Sequence, residues 1–180
     1  MSKETFYTAV DIGSNKVCSI VARVGAEGDL KILGTGMVTS QGMQKGRIDN
    51  IDEVKVAVKS SLEEAQRYIG RGVISGVYAG VSGTHISCLN TKDMMENPSA
   101  DDDIGPQHLD QLIRSSFPKV DPSQEILHMI PIGYEVDGME AVRNPAGLHA
   151  KQINVESHVV MGDAATLRNT VKAVEASRVS

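Results

Sequence analysis

Apolar positions alternate through the first forty residues of the chain and then step in threes and fours. Residues 5–12 are an apolar run that predicts a strand buried on both faces. Residues 16–24 predict its hairpin partner. Cys18, Ile20, Ala22 and Val24 fall on one face, and Val17, Ser19, Val21 and Arg23 on the other. Residues 30–39 predict a third strand, softened by Gly34 and Gly36, which makes an antiparallel meander. Gly42-Met43-Gln44-Lys45-Gly46 reads as a loop. From Ile51 the apolar residues Val54, Val58, Leu62, Ala65 and Ile69 form one stripe of an amphipathic helix. Asp49 or Asn50 caps it, Glu63 and Arg67 form an i,i+4 pair, and Gly70 and Gly72 stop it. Residues 74–81 predict a strand, and a helix of this length suits a crossover to a parallel strand.

The pattern changes after Gly83. Residues 85–91 predict a strand, and residues 92–103 a polar, Met-rich loop whose three aspartates favour the N-terminus of the next helix. That helix carries Leu109, Leu112 and Ile113 on one side and ends before Pro118 and Pro122. Glu125 to Val136 reads as one strand bent at Pro131 and Gly133, which marks an edge or a bulge. Residues 138–150 read as a long loop, 151–161 as an alternating strand, and a helix follows from about Asp163 with Ala164, Leu167, Val171 and Val174 in helical spacing. The order is β-β-β-α-β, a mixed segment, then a helix. The expected organisation is an α/β unit of residues 1–83 plus 161–180, interrupted by an α+β insert at 84–160. The exposed 138–150 loop and the strand edge near Pro131 make the insert a candidate protein-docking surface.

Composition narrows the function classes. The 180 residues carry a formal net charge of −5 with dispersed Lys and Arg, so no basic footprint for nucleic acid exists. No apolar stretch is long enough to span a bilayer, and Met1 to Thr5 has no signal-peptide pattern. Cys18 and Cys88 read as buried thiols in a reducing, cytosolic compartment. His85 and Cys88 would lie on opposite faces of a strand and predict no metal site. Neither they nor His128 suggests a catalytic triad, and no catalytic residue is proposed.

The candidate chemistry sits in Asp11-Ile12-Gly13-Ser14-Asn15-Lys16-Val17. A small-residue turn between two strands aims backbone N–H groups into a concavity that suits a phosphate. Ser14 adds a hydroxyl and Lys16 a point charge. Asp11 suits a hydrated Mg²⁺ held through water, with no direct metal ligand. The same spacing is equally that of a plain hairpin turn with an Asx hydrogen bond.

Several blocks carry a wider resemblance. They are Asp11 to Val17, Gly42 to Gly46, Val77 to Cys88, Leu127 to Pro131, Tyr134 to Gly138, Arg143 to Leu148 and Val171 to Glu175. In this order they resemble the FtsA family of bacterial actin-like cell-division proteins, N-terminal portion, over nearly the whole chain. The resemblance implies an actin/hexokinase-like, ribonuclease H-like first lobe with an inserted small α+β subdomain of SHS2 type. By the same resemblance, Asp11, Gly13, Ser14, Asn15 and Lys16 form the first phosphate loop for ATP with Mg. It implies an adaptor, at most a weak ATPase, that tethers the FtsZ ring to the cytoplasmic membrane, self-associates, and recruits late division proteins at the division site. The family's second lobe and its membrane-binding C-terminal amphipathic helix have no counterpart in these residues, so weak nucleotide binding and no membrane attachment are expected. Two other readings share the opening turn: an exopolyphosphatase-like phosphohydrolase and a PilM-type pilus-assembly actin homologue. The Gly83-Thr84-His85-Ile86-Ser87-Cys88 and Asn144 to Leu148 blocks favour the first reading over both.

Overall fold

A computed structural model describes residues 5–70, 73–99 and 101–177. The chain divides into two compact units, residues 1–85 with 165–180, and residues 86–164. In the first unit β1 (Thr5–Ile12), β2 (Lys16–Val24) and β3 (Leu30–Thr39) form the antiparallel meander. β4 (Met43–Gln44) and β5 (Arg47–Ile48) then pair as a small hairpin. The segment expected to be a plain loop therefore turns back on itself, because Lys45 (φ 49°) and Gly46 (φ 77°) adopt the left-handed conformations a two-residue hairpin turn demands. α1 (Ile51–Gln66) crosses over to β6 (Tyr78–Gly80), which runs parallel to β1 and gives the sheet order β3-β2-β1-β6. β6 is shorter than the expected strand at 74–81; Ser75 and Gly76 precede it, and a glycine weakens strand pairing.

α1 begins where the sequence indicates. The Asn50 side chain accepts from the N–H groups of Asp52 and Glu53, which satisfies two of the helix's unpaired donors. Val54, Val58 and Leu62 are buried against Val10, Ile12 and Val17 of the sheet, and Ala65 is buried as well. Glu63 pairs with Lys59 (3.8 Å), one turn earlier than Arg67, which lies at the helix C-cap. Gly72 lies outside the described residues. The helix seats closely because Gly34 and Gly36 have no side chains: a Cβ on either would collide with the carbonyl oxygen of Ala65 or Ser61. The fully buried Ser19 and Ser61 hydroxyls bond at 2.5 Å across this contact.

Among the described residues only one face of this sheet is covered. β1 buries Thr8, Val10 and Ile12 and exposes Tyr7, Ala9 and Asp11, so the expectation of burial on both faces is corrected. Tyr7, Ile20, Leu30, Ile32, Met37 and Tyr78 share the open face, and the rings of Tyr7 and Tyr78 lie 6.2 Å apart.

The second unit is an antiparallel sheet of β7 (Ile86–Glu96), β8 (Gln124–Val136), β9 (Met139–Val142) and β10 (Gln152–Asp163), ordered β7-β10-β8-β9. β7 runs five residues beyond the expected end at 91. From Asn90 to Glu96 exposed and half-buried residues alternate, a polar strand whose period lies hidden in a polar composition. β9 likewise takes the first part of the expected 138–150 loop. β8 bends as anticipated, with a register shift between Gly133 and Pro131. α2 (Pro106–Ser115) buries Leu109 and Leu112 against Ile153, Val155 and Val136. The aspartate loop does not cap α2; Gly105 stands at the cap. Instead its backbone laces to residues 147–150 through Ile104 N–H to Leu148 O (2.9 Å) and Ala150 N–H to Asp102 O (2.8 Å), seating Ile104 in the core. α3 (Ala164–Glu175) returns to the first unit, where Ala173 joins the core and the Ser177 hydroxyl donates to Ala173 O (2.6 Å).

Two predictions follow from this packing. Gly36→Ala forces its methyl into a helix carbonyl, and should lower unfolding free energy by about 2 kcal/mol in a urea titration; an unshifted midpoint would mean that the helix is not seated on this glycine. The Asp101 carboxyl is held below its ordinary value by the Ser99 hydroxyl and then backbone donors, and Asp121 by Ser123 in the same way. Depressed carboxyls contribute stability that is present above their unfolded value near 3.8 and lost as pH falls through the lower folded value. The melting temperature of Asp121→Asn should therefore fall below that of the parent at neutral pH, with the gap closing as pH falls below 3.8.

Candidate functional site

The turn between β1 and β2 brings Asp11, Gly13, Ser14, Asn15 and Lys16 together at one end of the first unit's sheet. Gly13 N–H donates to Lys16 O (3.0 Å) and closes the turn. That removes one donor from the set an anion would meet. Ser40 N–H donates to Asn15 O (3.0 Å), which ties the turn to the end of β3. Asp11, Ser14, Asn15 and Lys16 are all exposed, and Gly13 is half-buried.

Two further segments meet this turn. The tip of the β4–β5 hairpin reaches it through Gly46, whose N–H donates to the Ser14 Oγ (3.1 Å). Accepting that bond fixes the hydroxyl oxygen and leaves its proton to donate elsewhere. Gly46 in turn lies against residues 82–83: a Cβ there would fall 2.5 Å from Ser82 O and 2.9 Å from the Gly83 Cα. On the other side of β1, Gly80 pairs with Asp11, and a Cβ on it would come 3.5 Å from the Asp11 Oδ1. At that distance a side chain would make ordinary van der Waals contact, so the position does not require glycine. A cavity of about 320 Å³ beside the hairpin tip is lined by Gln44, Lys45, Arg47, Asp49 and Thr84. Lys45 and Arg47 line it together with Asp49, and Lys16 lies in the turn that the hairpin tip touches.

The carboxylate chemistry fits a hydrated divalent ion. Asp11 is the single acid in the turn, and Mg²⁺ keeps several waters while taking one or two carboxylates. Among the described residues no group of three or more His, Cys, Asp or Glu side chains is arranged to hold a metal directly. The sequence reading found the turn but not Gly46 or Gly80. The glycines at 42 and 46 were the available signal, since paired glycines around three residues mark a tight return of the chain.

The second unit offers a different surface. β8 pairs with β10 along its length, but β9 reaches only Tyr134 and Val136. The outer edge of β8 from Gln124 to Gly133 carries no strand among the described residues, and Ile130 and Ile132 are more than half exposed there. On the sheet face opposite α2, a cavity of about 660 Å³ is lined by Lys92, Met94, Gly133, Glu135, Glu140 and Glu156 among others. Lys92 pairs with Glu156 at 3.5 Å across it. Among the described residues no helix is long and apolar enough to cross a membrane.

Comparison with known proteins gives this geometry its context. The family described as "SHS2 domain inserted in FTSA" matches residues 83–161. Cell division protein FtsA of Buchnera aphidicola subsp. Schizaphis graminum is 30% identical over 167 residues, 92% of this chain and 39% of that protein. The same protein of Escherichia coli is also 30% identical over 92% of this chain and 39% of its own length. That of Pseudomonas aeruginosa is 29% identical over the same shares. The chain therefore spans about two fifths of the length of these relatives (39%). Among solved structures, a PilM-PilN type IV pilus biogenesis complex aligns with a TM-score of 0.58 at 11% identity, covering 95% of this chain and 44% of that one. At such identity the likeness is one of fold. The chain has a mixed α/β, actin-like fold with an inserted SHS2 domain.

Ser14→Ala removes the acceptor for Gly46 N–H. Its amide should exchange with solvent roughly tenfold faster, the upper end for one net hydrogen bond, while core amides such as Val58 keep their rates. Unchanged protection at Gly46 would mean that the hairpin tip is held by something other than Ser14.

Proposed function

The chain is FtsA-like, and from that premise we propose that it serves bacterial cell division as an actin-like nucleotide-binding adaptor. The observation that carries the proposal is the convergence of the Asp11–Lys16 turn with the Gly46 tip and the Gly80 end of β6. In this reading Ser14 and the turn's backbone bind phosphate of ATP, and Lys16 supplies charge. Asp11 holds the water shell of Mg²⁺, which when bound neutralises the phosphates. Gly13 and Asn15 shape the turn. The chain's residues bind and orient; no group in the turn is placed as a nucleophile or base.

We assign residues 1–83 with 161–180 to nucleotide binding and residues 84–160 to protein contacts. The second unit's open β8 edge and the exposed 139–148 segment support docking of division proteins, by addition of a strand or by side-chain contacts. The first unit's open apolar face supports self-association, since contiguous exposed apolar patches mark contact surfaces. The FtsZ ring is the partner that the family resemblance implies, and membrane attachment is not assigned to these residues. The pilus-assembly reading is supported by fold likeness at 11% identity, against 30% identity for the division proteins.

Calorimetric titration of the chain with Mg²⁺·ATP, beside Lys16→Ala, tests the nucleotide half. The turn residues are exposed, so the expected affinity is weak, and the substitution should abolish it. Binding that Lys16→Ala leaves intact would refute the assignment of the turn. For the docking half, charge reversal at the exposed Glu140 or Arg143 should weaken capture of a late division protein several-fold with an unchanged melting temperature. Equal capture by parent and variants would remove this surface from consideration.

A further inference from the structure

The hydroxyl of a serine can donate one proton and accept two hydrogen bonds. The Ser14 oxygen accepts from Gly46 N–H at 3.1 Å, and Ser14 is exposed. That bond does not engage the hydroxyl proton, but it restricts where the proton points, since the remaining directions about the oxygen lie away from the hairpin tip. The donor is itself held on two sides. At the base of the hairpin, Gly42 O accepts from Asp49 N–H (3.0 Å) and Asn50 N–H (3.2 Å), and Asn50 caps α1. At the tip, Gly46 lies backbone to backbone on residues 82–83, where a Cβ would fall 2.5 Å from Ser82 O. Its φ of 77° is also one that residues with a side chain rarely adopt. Two independent constraints therefore disfavour a side chain at this position. What it presents to the turn is a backbone N–H alone, aimed at one hydroxyl from a frame set by α1 and by residues 82–83.

We propose that Gly46 is a positioning residue of the phosphate turn: its N–H orients the Ser14 hydroxyl toward a phosphate oxygen, and bound phosphate tightens the hairpin tip in return. This rests on the reading of the Asp11–Lys16 turn as a phosphate site. Gly46 touches no ligand in this arrangement and acts through Ser14. A hydroxyl that donates its proton to an anion becomes a better acceptor, so the bonds on either side of the Ser14 oxygen strengthen one another. The Ser14 proton stays on Ser14 throughout. Linkage makes the effect reciprocal: whatever the Gly46 bond adds to phosphate affinity, phosphate adds to the Gly46 bond. An unheld hydroxyl gives up rotational freedom when the anion arrives, and the Gly46 N–H has already taken that freedom away. A serine that merely pinned the hairpin would hold Gly46 equally with and without ligand.

The test is an NMR titration of the isotope-labelled chain with Mg²⁺·ATP, following the Asn15, Lys16 and Gly46 amides, beside Ser14→Ala, Gly46→Ala and the double variant. In the parent the Gly46 amide proton should move downfield, as a strengthening hydrogen bond does, along the same binding curve as Asn15 and Lys16. In Ser14→Ala brought to saturation the Asn15 and Lys16 amides should still move and the Gly46 proton should not. Gly46→Ala keeps an N–H but displaces it from Ser14, and should bind about fivefold more weakly, the size of one net hydrogen bond. The double variant should bind no more weakly than Ser14→Ala alone, because Gly46 acts only through that hydroxyl. Losses that multiply in the double variant, or turn amides that shift while the parent's Gly46 proton stays still, overturn the Gly46 proposal and leave the turn assignment standing. Turn amides that never move overturn both. Should Gly46→Ala not fold, the Gly46 proton in the parent and in Ser14→Ala decides alone.

Discussion

The first unit depends on how closely α1 lies on β2 and β3. Glycines at 34 and 36 let helix backbone rest on strand backbone, and the Ser19–Ser61 bond satisfies the two hydroxyls buried in that contact. The consequence extends past the core. The helix start fixes Asn50, and both Asp49 N–H and Asn50 N–H donate to Gly42 O (3.0 and 3.2 Å). Gly42 is the base of the β4–β5 hairpin, and Gly46 is its tip. A register set by helix packing is therefore handed along a short rigid link to the Ser14 hydroxyl. The candidate site inherits its geometry from the core, which is how a loop-borne site becomes defined.

Where burial is one-sided and the period clear, the sequence reading is correct. The α1 stripe, the alternation of β2 and β10 and the Asn50 cap all follow from spacing, because each periodic residue there meets a core. The reading stops short where the deciding information is not periodic. β7 between Asn90 and Glu96 is polar on both faces by composition, and only its pairing with β10 makes it a strand. The β4–β5 hairpin is two residues per arm, below what any pattern resolves. The open face of the first sheet was unreadable for a different reason: Tyr7, Ile20 and Ile32 have the composition of buried residues, and sequence does not say what covers them.

The turn at Asp11 shows the same division. Its residue types were legible, since Gly, Ser and Asn at hairpin spacing announce a tight return of the chain. The segments that meet it come from 30 to 70 residues away. Gly46 contributes by having no side chain, and an absent side chain is the weakest of sequence signals.

Backbone strain separates the ordinary positions from the ones that need a reason. Among the described residues four non-glycine residues adopt positive φ: Lys45, Asp102, Asp137 and Ala141. Aspartates tolerate this conformation because the short carboxylate bonds nearby backbone. Asp137 shows it directly, accepting from Lys151 N–H and Gln152 N–H. Lys45 and Ala141 have no such compensation in their side-chain chemistry. An asparagine would suit the Lys45 position of the hairpin turn at lower cost, and a glycine the Ala141 position. Each lies beside one of the two surfaces described above: Lys45 at the tip that touches the Asp11–Lys16 turn, and Ala141 in the lining of the cavity on the insert's sheet. Both have a local reason in the fold: Lys45 occupies the two-residue turn of β4–β5, and Ala141 lies where β9 slips its register against β8, so the backbone at each is set by strand pairing and the side chain is left to the surface.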